Sequence, residues 1–274
     1  MKDRDCIEFL QSSLPRLRIR WQGFRKVRRQ VCKRIDRRMR ELGLADIAAY
    51  CSFLEKNAGE WATLDALCRV TISRFYRDRE VFRLIEQVVL VTLSKDAISR
   101  GERELRCWSI GCASGEEPYT LAVLWDLGTG RRFPSIKIRI LATDAEENMI
   151  ERAREGCYAS SSLAGLPLEW TARAFVRRGE LYCIKDEERE KVSFLMQDIR
   201  RAGPEEMFHL ILCRNLAFTY FDEELQQEVL ACLRDKLNAR GVLVVGSHER
   251  LPSDAAGFLP WPGIPGVYLK ETNG

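Results

Sequence analysis

The sequence of 274 residues contains only two histidines, His209 and His248, and its ten cysteines include no Cys-x-x-Cys pair. So few histidines and no paired thiols make a zinc site or another metal centre unexpected. The cysteines are scattered through apolar stretches, at positions 6, 32, 51, 68, 107, 112, 157, 183, 213 and 232. We interpret them as reduced core thiols rather than as a disulfide framework.

The sequence also lacks a long uninterrupted apolar run, and its N-terminus lacks the apolar segment of a signal peptide. Because about 18 apolar residues are needed to span a bilayer, we expect neither membrane insertion nor secretion, and we predict a cytoplasmic protein. Hydrophobic residues make up 46% of the chain. This fraction is enough for one large domain or two small ones.

Acidic residues are nearly missing between positions 16 and 40, where twelve Lys and Arg stand against one acid, Asp36. Apolar residues recur at helical spacing from Phe24 to Leu42, which predicts a basic amphipathic helix over about residues 24–42. Bunched like charge costs stability through self-repulsion, so it favours an anionic partner over a merely solvated face. The residues leave three partners open: an acidic protein segment, nucleic acid or an anionic membrane surface.

The stretch from Arg106 to Trp125 changes from an apolar, strand-like run to a helical period, with small residues at the join. This pattern predicts a strand, a tight turn and a helix. Ser114 and Glu117 have the spacing of a capping box. Gly111 and Gly115 let the backbone approach a ligand closely, and a helix N-terminus suits a carboxylate or another electron-rich group. The stretch therefore predicts a cofactor site.

Asp144 follows a second strand candidate, residues 136–142. Nucleotide-binding folds hold ribose hydroxyls with an acid at the carboxyl end of the second strand. Strand and helix alternate from Leu105 to about Tyr158, as a doubly wound parallel sheet requires. Asp144 is therefore a candidate ribose ligand.

In order and spacing, several motifs resemble those of the CheR-type methyltransferases, which use S-adenosylmethionine to methylate glutamates on bacterial chemotaxis receptors. The motifs are Ile72-Ser-Arg-Phe-Tyr-Arg77, Gly115-Glu-Glu-Pro-Tyr119, Thr143-Asp144, Cys213-Arg-Asn-Leu216, Tyr220-Phe-Asp222 and the glycine-rich strand Gly241 to Glu249. The resemblance implies an α/β fold of the class I S-adenosylmethionine methyltransferases, with a Rossmann-like doubly wound sheet. It also implies an N-terminal helical domain over residues 1–85, a catalytic domain over 86–274 and a β-hairpin subdomain at about 159–195.

The resemblance further assigns roles to single residues. Arg77 would hold the acceptor carboxylate and Tyr220 would orient it. Glu117 would bind the methionine portion of S-adenosylmethionine and Asp144 its ribose. The full set of implied cofactor-binding residues is Thr71, Ser73, Arg77, Gly111, Glu117, Asp144, Asp198, Ile199, Asn215 and Leu216, of which the last four would form the adenine end and the pocket wall.

The implied reaction is methyl transfer to a side-chain carboxylate, which is already ionised at pH 7 and needs no general base. The implied partner is an acidic helical protein such as a chemoreceptor cytoplasmic domain, bound through the basic helix; we expect no DNA and a monomeric enzyme. Two alternatives stay open. The extra residue between Asn215 and Tyr220 and the short hairpin favour a non-receptor protein or a small molecule as acceptor. A non-catalytic sensor or scaffold that binds S-adenosylmethionine is the other.

Overall fold

A computed structural model of the chain describes residues 2–271 and divides them into two compact units. The helical unit runs up to Thr71 and includes Thr219–Gln226; the sheet unit consists of Ile72–Phe218 and the chain from Gln227 onwards. The sequence places the domain boundary at residue 85. We assign residues 79–99 to the sheet unit because their buried side chains belong to its core.

The helical unit is built on five helices whose apolar faces share one core. They are α1 (Asp3–Ser13), α2 (Trp21–Phe24), α3 (Arg28–Glu41), α4 (Ile47–Lys56) and α5 (Glu60–Cys68). The predicted basic helix is shorter than expected, because a turn at residues 25–27 separates α2 from α3. Val31, Ile35 and Met39 are buried at a spacing of four residues, so α3 packs on one apolar stripe and presents its basic residues elsewhere.

Two helices, α6 (Arg79–Leu84) and α7 (Leu90–Ser99), precede the sheet, and a π-helical segment, Ile85–Val89, joins them. The larger strands and helices that follow are β1 (Glu104–Ile110), α8 (Glu116–Leu127), β2 (Lys137–Asp144) and α9 (Glu147–Glu155). A small subdomain then contains β3 (Cys157–Ala159), α10 (Ser160–Leu163), α11 (Leu168–Ala174), β4 (Phe175–Arg178), β5 (Leu181–Ile184) and α12 (Asp186–Arg189). The chain ends with β6 (Val192–Met196), β7 (Phe208–Cys213), α13 (Ala217–Tyr220), α14 (Glu223–Lys236), β8 (Leu237–Val245), β9 (Phe258–Pro260) and β10 (Val267–Lys270).

The main sheet has seven strands in the order β6-β2-β1-β7-β8-β10-β9. The first five are mutually parallel, and β10 is antiparallel to both β8 and β9. Every residue of β7 is buried, as its continuous apolar run predicts for a central strand. Strand β9, next to β10, forms the edge of the sheet. The doubly wound, Rossmann-like fold is confirmed.

The predicted hairpin forms part of a separate sheet of three antiparallel strands, in the order β3-β5-β4. Gly179 has φ 60°, a left-handed conformation that suits the turn between β4 and β5. The small sheet therefore interrupts the alternation of strands and helices between β2 and β6.

The prediction that all ten cysteines are reduced is wrong for four of them. Cys6 in α1 and Cys32 in α3 form a disulfide with their Cα atoms 6.0 Å apart. Cys157 and Cys183 are register partners on β3 and β5 and form a second disulfide. Both pairs are separated by 26 residues, and only the packing of helices and strands brings the thiols together. The free cysteines are 51, 68, 107, 112, 213 and 232.

Between residues 2 and 271, no helix is both long enough and apolar enough to cross a membrane.

Candidate active site

The turn between β1 and α8 curls back on itself in left-handed conformations. Gly111, Ala113 and Gly115 have φ angles of 68°, 46° and 91°. The backbone N–H groups of Gly111 and Cys112 donate to the carbonyl of Thr143 at 2.8 and 3.0 Å, which fixes the turn on the end of β2. Ala113 is strained in this turn, because a positive φ costs a residue with a Cβ about 1–2 kcal/mol. Such strain is concentrated at functional sites.

The capping box predicted for Ser114 and Glu117 does not form. Helix α8 begins at Glu116 with Gly115 as its N-cap and no side-chain cap, because the left-handed turn carries Ser114 away from the first free N–H groups. The hydroxyl of Ser114 instead donates to the carboxylate of Glu116 at 3.1 Å. Burial raises the pKa of Glu116, and the hydroxyls of Ser114 and of Ser73, a predicted cofactor ligand, oppose this rise.

Glu117 lies in a polar cluster at the carboxyl ends of β1 and β7. Its Oε1 accepts a hydrogen bond from the hydroxyl of Ser109 at 2.8 Å, and its Oε2 accepts one from the Arg214 guanidinium at 2.8 Å. The same guanidinium donates to Asp78 Oδ2 at 2.8 Å. These two carboxylates outnumber the single guanidinium, so the three side chains together carry a net negative charge. A cationic ligand group would balance it.

Asp144 stands at the end of β2, where the sequence predicts a ribose ligand. Its Oδ2 accepts a hydrogen bond from the N–H of Ala113 at 2.9 Å, and its Oδ1 accepts one from the N–H of Glu146 at 3.0 Å. Asp144 is therefore oriented by the turn at the carboxyl end of β2, the position that the sequence predicts for a ribose ligand.

Asp198 and Ile199 follow β6 at the same edge of the sheet, since β6 pairs in parallel with β2. The carboxylate of Asp198 pairs with Arg200, whose nitrogen lies 2.6 Å from Oδ2, and Ile199 is 7% exposed. The predicted adenine contact of Asp198 would share its carboxylate with this arginine. Both residues stay predicted cofactor ligands.

Asn215 and Leu216 come directly after β7. Asn215 has φ 55°, and its N–H donates to the carboxylate of Glu249 at 2.6 Å, as does the N–H of Gly246. A Cβ added to Gly111 would lie 2.8 Å from Leu216 Cδ2. The structure thus brings the glycine turn and Leu216 together, and Glu249 fixes Asn215 at the end of the neighbouring strand β8.

Arg77 lies in a strained segment that precedes α6. Its neighbours Tyr76 and Asp78 have φ angles of 54° and 61°. The Arg77 guanidinium donates to the carbonyl of Ile72 at 2.8 Å, and the Arg77 carbonyl accepts from Arg214 at 2.9 Å. Arg77 and Glu117 are therefore linked through one side chain.

Thr71 and Tyr220 belong to the helical unit. The ring of Tyr220 packs edge-on against Phe24, with their centroids 5.3 Å apart. The cofactor role of Thr71 and the acceptor role of Tyr220 stay predictions.

Sequence reasoning assigned no role to Arg214, Ser109, Asp78 or Glu249. A signal was present for Arg214, because a charged residue directly after the apolar run of β7 requires buried partners. Asp78 lies 136 positions from Arg214, and Glu249 lies 34 positions from Asn215, so nothing in the sequence pairs them.

The geometry suits a ligand that combines a ribose with an amino-acid cation. Asp144 lies at the end of β2, and Glu117 lies in a cluster of net negative charge. These features fit the ribose and the ammonium group of S-adenosylmethionine.

Two family profiles match the chain. The profile "CheR methyltransferase, SAM binding domain" covers residues 71–261, and "CheR methyltransferase, all-alpha domain" covers residues 26–65. The chain is 35% identical to the chemotaxis protein methyltransferase of Listeria innocua over 190 residues, or 69% of each chain. It is 32% identical to the chemotaxis protein methyltransferase of Escherichia coli over 235 residues, 81% of this chain and 76% of that one.

A longer relative also matches. The chain is 34% identical over 224 residues to an uncharacterised 104.1 kDa protein of Rhodobacter capsulatus. The match covers 81% of this chain and only 23% of that protein.

Proposed function

The chain belongs to the CheR methyltransferase family, whose cofactor is S-adenosylmethionine, and on that premise we propose that it methylates side-chain carboxylates of an acidic helical protein. The acceptor we infer is a glutamate in the cytoplasmic domain of a chemoreceptor or of a receptor-like protein. The observation that carries the proposal is the link, through Arg214, between Glu117 and the turn that bears Arg77. It joins a carboxylate suited to the cofactor to an arginine suited to an anionic acceptor.

S-adenosylmethionine supplies an electrophilic methyl group on a sulfonium. The acceptor carboxylate is ionised at pH 7, so the protein has to position it rather than deprotonate it. Arg77 binds that carboxylate through its planar guanidinium, and Tyr220 orients it. Fixing the reacting groups in line can lower the barrier by about 7–11 kcal/mol.

The remaining site residues hold the cofactor. Glu117 pairs with the ammonium of its methionine portion, and Asp144 accepts hydrogen bonds from its ribose. The residues proposed around these parts and the adenine are Thr71, Ser73, Gly111, Asp198, Ile199, Asn215 and Leu216.

Some basic residues of α3 bind groups within the helical unit rather than a partner protein. Arg38 forms a bidentate pair with Glu60, which is 6% exposed, and this bond holds the pKa of Glu60 below its usual value. Arg34 donates to the carbonyls of Leu67 and Arg69. Both arginines therefore bind groups within the helical unit. Removing Arg38 would leave the buried carboxylate of Glu60 without its charged partner.

The recognition surface we propose is an exposed basic stripe on α3, made of Arg29, Lys33 and Arg37. Their spacing of four residues places them on one face of the helix. A stripe of this kind attracts an acidic helix, and the attraction falls as salt screens it.

The methylation assay offers chemoreceptor signalling domains and acidic helical peptides together with radiolabelled S-adenosylmethionine, and scores methyl groups released by base. We expect base-labile methyl esters on glutamate, because esters hydrolyse in alkali whereas N-methyl groups do not. Base-stable label, or label on small molecules only, would show that the acceptor is of another class. Tight cofactor binding with no label on any acceptor would favour the sensor alternative.

Reversing Arg29, Lys33 and Arg37 to glutamate should weaken association with an acidic partner by about tenfold or more at low salt, since each reversed charge becomes repulsive. The measurement is partner affinity by calorimetry across a salt series. The control reverses Arg103, Arg131 and Arg132, exposed residues of the sheet unit, and so makes the same change in net charge. An equal loss in both triple variants would mean that net charge, and not the stripe, governs recognition.

A further inference from the structure

The Arg214 side chain is 1% exposed and reaches three separate parts of the sheet unit. One nitrogen donates to Glu117, at the start of α8. Another donates to Asp78 and to the carbonyl of Arg77. A single guanidinium therefore joins the turn after β1, the segment before α6 and the end of β7, through contacts of 2.8–2.9 Å.

The ring of Phe82 completes this environment. The Arg214 guanidinium carbon lies 4.9 Å from the Phe82 ring centroid, within the range of a cation–π contact. Asp78 and Glu117 are partly open, with side-chain exposures of 26% and 16%. The cation is thus buried, whereas the two carboxylates that it orients face outward enough to meet a ligand.

Arg214 also donates hydrogen bonds to a strained backbone segment, residues 76–78. Tyr76 and Asp78 have positive φ angles, and the N–H of Tyr76 is held by the Thr120 hydroxyl at 3.0 Å. Strained conformations persist only where the surroundings over-determine them. The two bonds from Arg214 to this segment supply such support on the C-terminal side of Arg77.

The geometry points to Arg214 as a positioning residue that sets Glu117 and the Arg77 turn in one arrangement. The amino-acid part of the cofactor and the arginine for the acceptor are then placed by the same guanidinium. This inference rests on the proposed function for the role of Arg77, but its effect on Glu117 can be measured without any acceptor. Lysine cannot replace Arg214, because one ammonium does not reproduce the fork that spans two carboxylates.

The test compares two ligands in wild type and Arg214→Lys by calorimetry. S-adenosylhomocysteine contains the adenosine and the amino-acid part, whereas 5′-methylthioadenosine lacks the amino-acid part. We expect Arg214→Lys to lower the affinity for S-adenosylhomocysteine by about tenfold or more, the effect of a lost charged hydrogen bond. The affinity for 5′-methylthioadenosine should change by less than about twofold, since that ligand does not reach Glu117.

The matched control is Arg139→Lys, because Arg139 also pairs with two carboxylates of the sheet unit, Glu104 and Glu206. It should leave both affinities unchanged. A parallel loss of both ligands in Arg214→Lys would show a general structural role and overturn the inference, as would unchanged binding of both.

If Arg214→Lys does not fold, Asp78→Asn carries the same test, since it removes the negative charge of one partner of the guanidinium and keeps Arg214. The inference then requires a selective loss of S-adenosylhomocysteine affinity, and an equal effect on the two ligands contradicts it. Both outcomes are independent of whether the enzyme methylates glutamate. Failure of this inference is therefore distinguishable from failure of the proposed function.

Discussion

The two ends of the main sheet differ in backbone strain and in the pairing of their charged groups. Between residues 2 and 271, six non-glycine residues have positive φ, and four of them lie at or beside the carboxyl ends: Tyr76, Asp78, Ala113 and Asn215. The other two are Arg18 in the helical unit and Arg240 in β8. The cluster of Arg214, Glu117 and Asp78, which has a net negative charge, also lies at the carboxyl ends. Backbone strain and unbalanced charge of this kind are typical of ligand-binding sites.

At the amino ends, polar groups satisfy one another. His209 Nδ1 accepts a hydrogen bond from the N–H of Arg106 at 3.0 Å, and Nε2 lies 2.5 Å from Glu102. Because Nδ1 accepts, Nε2 carries the proton and donates to Glu102. Burial lowers the pKa of His209, so its ring is neutral at physiological pH. This end contains a histidine that is 1% exposed and acts as a scaffold. The contrast favours the other end as the cofactor site that we propose.

The largest expected effect is at Arg77. Arg77→Lys should slow methyl transfer by roughly 10–1000-fold, equivalent to about 1.4–4 kcal/mol of lost positioning, because lysine keeps the charge but not the two-pronged contact. Initial rates with labelled cofactor measure this effect. Cofactor affinity should fall much less, and Arg139→Lys at the amino end should keep its rate. A change only in cofactor affinity would remove Arg77 from acceptor binding.

The next effect is at Asp144. Asp144→Ala should weaken S-adenosylmethionine binding by about 1–3 kcal/mol, because the ribose loses its acceptors and the N–H of Ala113 loses its partner. Calorimetry measures the affinity, and circular dichroism checks that the variant is folded. Glu104→Ala, at the amino end of β1, is the control and should bind normally. Equal affinities for wild type and a folded Asp144→Ala would exclude this carboxylate from the site.

The smallest effect concerns backbone strain. Ala113→Gly should stabilise the protein by about 0.5–1 kcal/mol, because the relief of left-handed strain exceeds the entropy that glycine adds to the unfolded chain. Denaturant unfolding measures the free energy. Gly101→Ala provides the reverse comparison near the amino ends: Gly101 has φ 72° and nothing within 4 Å of an added Cβ, so strain alone should destabilise it. A destabilised Ala113→Gly would show that the turn is not strained.

Much of the fold could be predicted because the motifs occur in a fixed order along the chain. The apolar run of β7 predicts a central strand. Asp222, from the motif Tyr220-Phe-Asp222, accepts a hydrogen bond from the N–H of Leu225 in the first turn of α14 at 2.8 Å. The position of Asp144 at the end of β2 follows from the strand and helix periods alone. Local patterns of this kind are readable because they depend on neighbours in sequence.

What could not be predicted depends on contacts between distant residues. The Cys6–Cys32 and Cys157–Cys183 disulfides require the packing of separate helices and strands. The prediction of a capping box at Ser114 was wrong because Ala113 has a left-handed conformation. An alanine in the sequence gives no sign of that conformation. Arg214 was visible as part of a motif, but its contacts with Asp78 and Glu117 appear only in three dimensions.

The most direct test of the contrast between the two ends is hydrogen exchange with and without S-adenosylhomocysteine. The ligand should slow amide exchange in peptides that contain residues 111–117 and 213–216, at the carboxyl ends of β1 and β7, because binding stabilises these turns. Peptides that contain residues 102–106 and 137–139, at the amino ends of β1 and β2, should exchange at the same rate as before. Slowing confined to the amino ends, or spread evenly over both ends, would contradict the assignment of the carboxyl ends as the cofactor site.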